Sequence, residues 1–345
     1  MRQFEFIRPQ SVEQAIAVHA TAHTTPQNAA MRVGEGVYLA GGTTLLDLVK
    51  LDVMRPARVI DIHRLGMNSI DRLPDGRLRI GALVTNTTLA YDPAVMRDYP
   101  VLSQALLSGA STALRNKATT AGNVMQRVRC GYFRDGVSPC NKREPGSGCA
   151  AIGGHHRSLH AVLGGSAQCI AAHPSDMCVA MAAIGATVHV QGAAGERDIA
   201  FADFHLLPGD TPWREHALAN DEIITHVTLD APLANARGGY LKRRDRASYQ
   251  FALASCAVIL SLDGGTVREA RVALGGVATK PWRAIQAEQV LRGASLSPAS
   301  ADVWRRAADA ALTGAHDYGQ NGYKIALCQQ AIVRNLTRLA AGGTV

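Results

Sequence analysis

Five of the seven cysteines lie between residues 130 and 178. Four of them, Cys130, Cys140, Cys149 and Cys169, follow one another at steps of ten, nine and twenty residues in a stretch rich in Gly, His and Arg. The first residues, Met1 to Pro9, have no apolar core and no small-residue cleavage site, so no export signal of the chain's own is expected. Without one, clustered thiols point to metal or cluster ligation rather than to disulfides. Arg129, Lys142 and Arg143 stand beside the thiols in sequence and are expected to favour thiolates, with glycine N–H groups donating to sulfur. Four thiolates can hold a [4Fe–4S] cluster. A structural zinc site, all-cysteine or sharing His155, His156 or His160, is the competing reading. The steps are too long and uneven for a C-x2-C zinc knuckle, but spacing alone does not choose between the two. Inert thiols come third. Cys178, Cys256 and Cys328 sit in apolar runs and are expected in the core.

A second chemistry is anion binding. Leu39-Ala40-Gly41-Gly42-Thr43-Thr44-Leu45 follows a strand-like run and opens a helix-like one. Glycines there let backbone N–H groups face an anion, and two threonine hydroxyls add donors. Neither G-x-G-x-x-G nor a Walker loop is present. A plain strand-to-helix turn fits this segment as well. Arg115-Asn116-Lys117-Ala118-Thr119-Thr120-Ala121-Gly122-Asn123 is a second small, polar, basic stretch. Two such loops imply a large diphosphate-bearing ligand held in a cleft.

The elements that must position these residues form three units. Residues 1–58 read as a small α/β unit, with a helix capped by Ser11, a strand at Val37–Ala40 and a helix from Thr44. Residues 59–228 read as a second α/β unit. Its strands are expected at 77–82 and 186–190, a small-residue helix over Ser103–Ala113, and an irregular insertion over 127–172. A long irregular insertion is usually functional. Residues 229–345 read as an α+β unit, with paired strands at 251–260 and 267–274 and helices over 299–312 and 325–339.

The bulk numbers narrow the class. The chain has 345 residues, 47% of them hydrophobic and 19% charged, so it is globular and needs more than one core. Net charge is +8, but no basic run exceeds three residues, which argues against nucleic acid. No stretch approaches the apolar length of a membrane span.

Taken together, these segments resemble the medium, FAD-binding subunit of the xanthine dehydrogenase family of molybdenum hydroxylases. Ala40–Leu45 is similar to that family's A-G-G-T-x-L loop and Arg115–Asn123 to its R-N-x-A-T-x-G-G-N loop, with Ala121 replacing one glycine. Pro174-Ser175-Asp176, Leu218-Ala219-Asn220-Asp221-Glu222-Ile223-Ile224 and Tyr240-Leu241-Lys242 match further landmarks in order. The resemblance implies an α+β fold. A two-subdomain FAD-binding domain of the p-cresol methylhydroxylase and vanillyl-alcohol oxidase type would precede a C-terminal α+β domain of the CO dehydrogenase flavoprotein type. It also implies flavin contacts from Leu39, Ala40, Gly41, Gly42, Thr43, Thr44, Leu45, Gly109, Ala110, Thr119, Gly122, Asn123 and Ser175. Asp176 would bind the adenosine end, Leu218 would lie near the flavin ring and Lys242 would face it.

Most of that family lacks an insertion like 127–172. A subgroup has one carrying an extra [4Fe–4S] cluster: the flavin subunits of 4-hydroxybenzoyl-CoA reductase and of bacterial periplasmic aldehyde oxidoreductases. The run Cys140–Gly154 looks most like the latter, which implies cluster ligation by Cys130, Cys140, Cys149 and Cys169. The implied protein is an electron-transfer subunit with no catalytic acid, base or nucleophile of its own. Its expected partners are a large molybdopterin subunit, a small [2Fe–2S] subunit and an external acceptor, ferredoxin or quinone rather than NAD. It would be periplasmic by co-export with a signal-bearing partner, or cytoplasmic. A reductase-like or xanthine dehydrogenase-like flavin subunit, a stand-alone flavoprotein oxidase and a zinc-stapled non-redox scaffold are the alternatives.

Overall fold

The computed structural model describes residues 1–20 and 36–342. Three sheets organise it. The first is parallel and comprises β1 (Glu5–Ile7), β2 (Gly36–Leu39) and β3 (Arg58–Asp61) in the order β1-β3-β2. The second is antiparallel and comprises β4 (Ile70–Arg72), β5 (Leu78–Gly81), β6 (Ala186–Gly192), β7 (Gly195–Ala200) and β8 (Ile223–Leu229), in the order β4-β5-β8-β6-β7. The third, also antiparallel, comprises β9 (Ala236–Arg243), β10 (Ala254–Asp263), β11 (Thr266–Gly275) and β12 (Trp282–Arg283), in the order β12-β11-β10-β9.

Alternation decides which face of each sheet is buried. Val188 and Val190 on β6 and Val227 and Leu229 on β8 lie in one core with the helices Pro100–Ser108 and Asp176–Ile184. On the third sheet Val258, Leu260, Val272 and Leu274 pack with Trp304, Ile332 and Leu336 of the helices Ala301–Ala311 and Tyr323–Ala340. Cys178, Cys256 and Cys328 are fully buried, in keeping with their apolar surroundings in sequence.

The helix expected over Ser103–Ala113 is two pieces. Pro100–Ser108 ends at Gly109, and Ala110 takes φ +51° before Thr112–Arg115 begins. Ser111 caps the second piece by accepting from Leu114 N–H at 3.3 Å. The left-handed residue is an alanine, which carries no turn signal of its own.

The cysteine insertion lies within the middle stretch of the chain but packs elsewhere. Phe133, Cys140, Cys169 and Ala171 share a core with Val37, Leu48, Val49 and Val59 of the first sheet and its helix. Asp47 on the helix Leu45–Lys50 accepts from Arg129 at 2.8 Å and from Arg134 at 2.8 and 3.1 Å. The far side of the insertion is tied to the C-terminal unit. Buried Lys324 donates to Leu159 O at 3.0 Å, to His160 O at 3.1 Å and to Gly276 O. Asn321 Nδ2 donates to Ala161 O at 3.0 Å. Among the described residues no helix is long and apolar enough to cross a membrane.

Replacing Lys324 with Met would strand these buried carbonyls. Leaving them unsatisfied is expected to cost on the order of 3 kcal/mol, read as a lower midpoint in denaturant unfolding with an unchanged slope.

Candidate functional site

The two glycine loops meet backbone to backbone. A Cβ added at Gly41 would sit 1.9 Å from Lys117 O, so only glycine permits the approach. Gly42 takes φ +74°, and the helix Leu45–Lys50 starts directly after the loop. Thr119 caps the helix Thr120–Val124 by accepting from Gly122 N–H at 3.2 Å. Thr120 N and Ala121 N donate to Val84 O and Ala82 O at 2.9 and 3.0 Å, which fixes the second loop to the second sheet.

Between the loops runs a cleft with a cavity volume of about 310 Å³. Ala40, Gly41, Gly42, Thr43, Thr44, Leu45, Thr119, Gly122 and Leu218 line it, as the resemblance implies. Of the other expected ligand residues, Leu39, Gly109, Ala110, Asn123, Ser175, Asp176 and Lys242 do not line this cleft. Asn123 and Ser175 stand one layer back, where Ser175 Oγ donates to Asn123 Oδ1 at 2.7 Å and caps the helix Asp176–Ile184.

Asp176 and Lys242 were expected at different parts of one extended cofactor. The structure pairs them instead. Lys242 Nζ lies 2.7 Å from Asp176 Oδ2, with both side chains buried, and Tyr240 O–H donates to Asp176 Oδ1 at 2.6 Å. Burial and the adjacent carboxylate push the Tyr240 phenol well above its ordinary range. Lys242 and Arg244 also donate to Ser108 O, at 3.2 and 2.7 Å, and Arg115 donates to Gly109 O at 2.7 Å. Gly109, Asp176 and Lys242 therefore form one locus beside the cleft.

Several cleft residues carried no motif. Tyr38 stacks on His19 with centroids 4.7 Å apart. Trp213, Arg127, Lys142 and Glu215 line the wall. Burial opposes ionisation of Glu215, but Arg127 and Lys142 outweigh it and hold the carboxyl at about 2. His173, Cys178 and His205 bring ligand atoms within 4.8 Å of one another. His173 Nε2 and His205 Nδ1 are buried without a hydrogen-bond partner, while His205 Nε2 donates to Val124 O at 3.0 Å. Only the His-Pro-Ser-Asp run beside a landmark motif hinted at His173.

The four cysteines converge on a second, small and mostly apolar cavity. A hairpin sets Cys140 opposite Cys149, with Asn141 N donating to Gly148 O at 2.6 Å and Ala150 N to Pro139 O at 2.9 Å. Gly146 and Gly148, at φ +86° and +97°, make its turn. Asn141 Nδ2 donates to Gln168 Oε1 at 2.7 Å, tying the hairpin to the turn that carries Cys169. Arg143 donates to Tyr132 O and Phe133 O at 2.8 Å, tying it to the short helix headed by Cys130. All four thiols are free. Lys142, Cys169 and Ala171 line both cavities.

The expected support from neighbouring arginines is partial: Arg143 lowers the Cys140 thiol through its backbone N–H and its charge, against a larger effect of burial. Arg129 turns to Asp47 and the Phe251 ring, and Arg143 to backbone carbonyls. Burial dominates and pushes the Cys130 thiol up to about 12, and raises Cys140 and Cys169 as well. Of the adjacent cations, Lys142 opposes this at Cys169. His160 Nε2 lies 3.1 Å from Cys130 Sγ.

This is a two-loop dinucleotide cleft on a three-sheet scaffold, with a thiol-lined chamber beside it. A family model described as the FAD binding domain in molybdopterin dehydrogenase matches residues 2–232, and one for the CO dehydrogenase flavoprotein C-terminal domain matches 239–339. The chain belongs to the FAD-binding subunits of the molybdenum hydroxylases. It is 49% identical over 321 residues to the aldehyde oxidoreductase FAD-binding subunit of Escherichia coli (strain K12), covering 92% of this chain and 96% of that one. It is 26% identical to the nicotine 6-hydroxylase medium subunit of Paenarthrobacter nicotinovorans, covering 88% and 89%. A carbon monoxide dehydrogenase structure from Hydrogenophaga pseudoflava superposes with TM-score 0.74 at 24% identity, over 99% of each chain, and shares the fold. The expected fold and FAD-binding class are borne out.

Two outcomes follow from the cleft. Gly41→Ala forces the loops apart and is expected to yield folded protein with little bound flavin, measured by absorbance after desalting. Burial holds His205 and His226 down at about 4, against 6.5 in an unfolded chain. The unfolded state therefore binds more protons between those values. Stability is retained above 6.5 and falls as pH drops towards 4. Thermal melts across that window are expected to show the decline, and His205→Gln to reduce it.

Proposed function

We propose that the chain is the FAD- and [4Fe–4S]-containing electron-transfer subunit of a heteromeric, molybdenum-dependent aldehyde oxidoreductase. It would work with a large molybdenum subunit and a small [2Fe–2S] subunit, and pass electrons to an external acceptor. The single observation that carries the cluster is the convergence of four free, shielded thiols on one cavity that shares wall residues with the flavin cleft. Four cysteines that share one cavity suit a polynuclear cluster held by four thiolates.

The residues present fit both groups. Loop N–H groups and the Thr43, Thr44 and Thr119 hydroxyls suit the diphosphate, and Leu218 supplies an apolar wall. Burial raises the Cys130, Cys140 and Cys169 thiols, and bound iron would supply the local cation that favours their thiolates. Bound FAD supplies the exchange between two-electron and one-electron transfer. The chain's own part is to bind, orient and shield. The identity to the Escherichia coli subunit supports an aldehyde as the oxidised substrate of the complex. The absence of a nicotinamide fingerprint favours ferredoxin or a quinone over NAD as acceptor. Either compartment, cytoplasm or periplasm by co-export, is compatible with this reading.

Anaerobically purified complex is expected to contain FAD, iron and acid-labile sulfide on this subunit. Cys149→Ser should lose most of the iron and retain the flavin. Zinc without sulfide in the wild-type protein would refute the cluster.

A further inference from the structure

The wall between the two chambers is an ionic network. Lys142 Nζ lies 3.2 Å from Glu215 Oε1 and donates to Pro212 O at 2.7 Å. Arg127 Nε donates to Glu215 Oε2, and its guanidinium stacks 4.7 Å over the Phe133 ring, which lines the thiol cavity. Lys142 is 7% exposed. Glu215 thus faces both Arg127 and Lys142, so the Lys142 ammonium shares its carboxylate partner within a shielded wall.

Anions stand on both sides once the chambers are filled. Four thiolates bring more negative charge than an iron–sulfide cube cancels, and a flavin carries a diphosphate and gains charge on reduction. Lys142 lines both chambers and follows directly on Cys140 and Asn141. Its charge also reaches Cys169, in the same two walls. The ammonium stem is fixed by two acceptors, so it cannot swing towards one chamber alone.

We propose that Lys142 is a positioning residue whose single buried charge is shared by the flavin and the cluster, so that it stabilises added electrons at both and couples their potentials. This rests on the reading of the thiol chamber given above. No proton or bond changes at Lys142 itself.

The test is a redox titration of the intact complex, with the cluster followed by electron paramagnetic resonance and the flavin by visible absorption. K142M removes the charge at similar length. It is expected to move both midpoints to more negative values by on the order of 59 mV, a tenfold change for a one-electron couple. E215Q removes the opposing charge and is expected to move both midpoints positive. K142R, which keeps the charge, should return towards wild type. Structural damage would shift K142M and E215Q in one direction, and that outcome overturns the proposal. So does an iron-loaded K142M in which one centre moves and the other does not. If K142M fails to load, the sign of the E215Q shift decides. Wild-type complex without iron on this subunit overturns the cluster reading itself, and this inference with it.

Discussion

The approach of Gly41 to Lys117 O is the constraint on which the rest of the site depends. It brings a loop from the parallel sheet against a loop anchored on the antiparallel one, with no side chain between them. The cleft exists because these backbones touch at one end and diverge elsewhere. The same loop launches the helix Leu45–Lys50, whose Asp47 collects Arg129 and Arg134. One contact thus fixes the dinucleotide cleft and the docking of the cysteine insertion together.

That coupling explains why an insertion in the middle of the chain completes the core of the first unit. Its hairpin and turns have little regular structure to hold them. They are held by Arg143, Asn141 and Lys324, each donating to acceptors distant in sequence. The result is a rigid chamber built from loops. Such a chamber holds its four cysteines in a defined arrangement, whereas a loop without these ties would leave them free to rearrange.

What could be read from the sequence was local chemistry. The first loop announces itself because glycine, threonine and a helix start are adjacent in the chain. The cysteine quartet is visible because its members are near one another in the chain. The pairing of Asp176 with Lys242 spans 66 residues, and that of Arg127 with Glu215 spans 88. No periodicity records such partners. Ala110 breaks a helix at φ +51° without any residue that signals a break. Adjacency to a cysteine misled at Arg129 for the same reason, since its guanidinium pairs with Asp47, whereas Arg143 does act on Cys140.

The thiol chamber and the ionic wall answer one electrostatic problem from two sides. Burial raises the Cys130, Cys140 and Cys169 thiols and so disfavours their charged forms. On the proposed reading, a cluster held there would set four thiolates around a metal core. A cation that must stabilise the filled state has to be in place beforehand, and an unpaired lysine in a dry wall would shift towards its neutral form. Glu215 faces Lys142 at 3.2 Å and also accepts from Arg127, so its carboxylate is shared between the two. Lys142 therefore stands in the wall of both chambers against a carboxylate that it shares with Arg127, an arrangement that can face an anion on either side without leaving a lone buried charge.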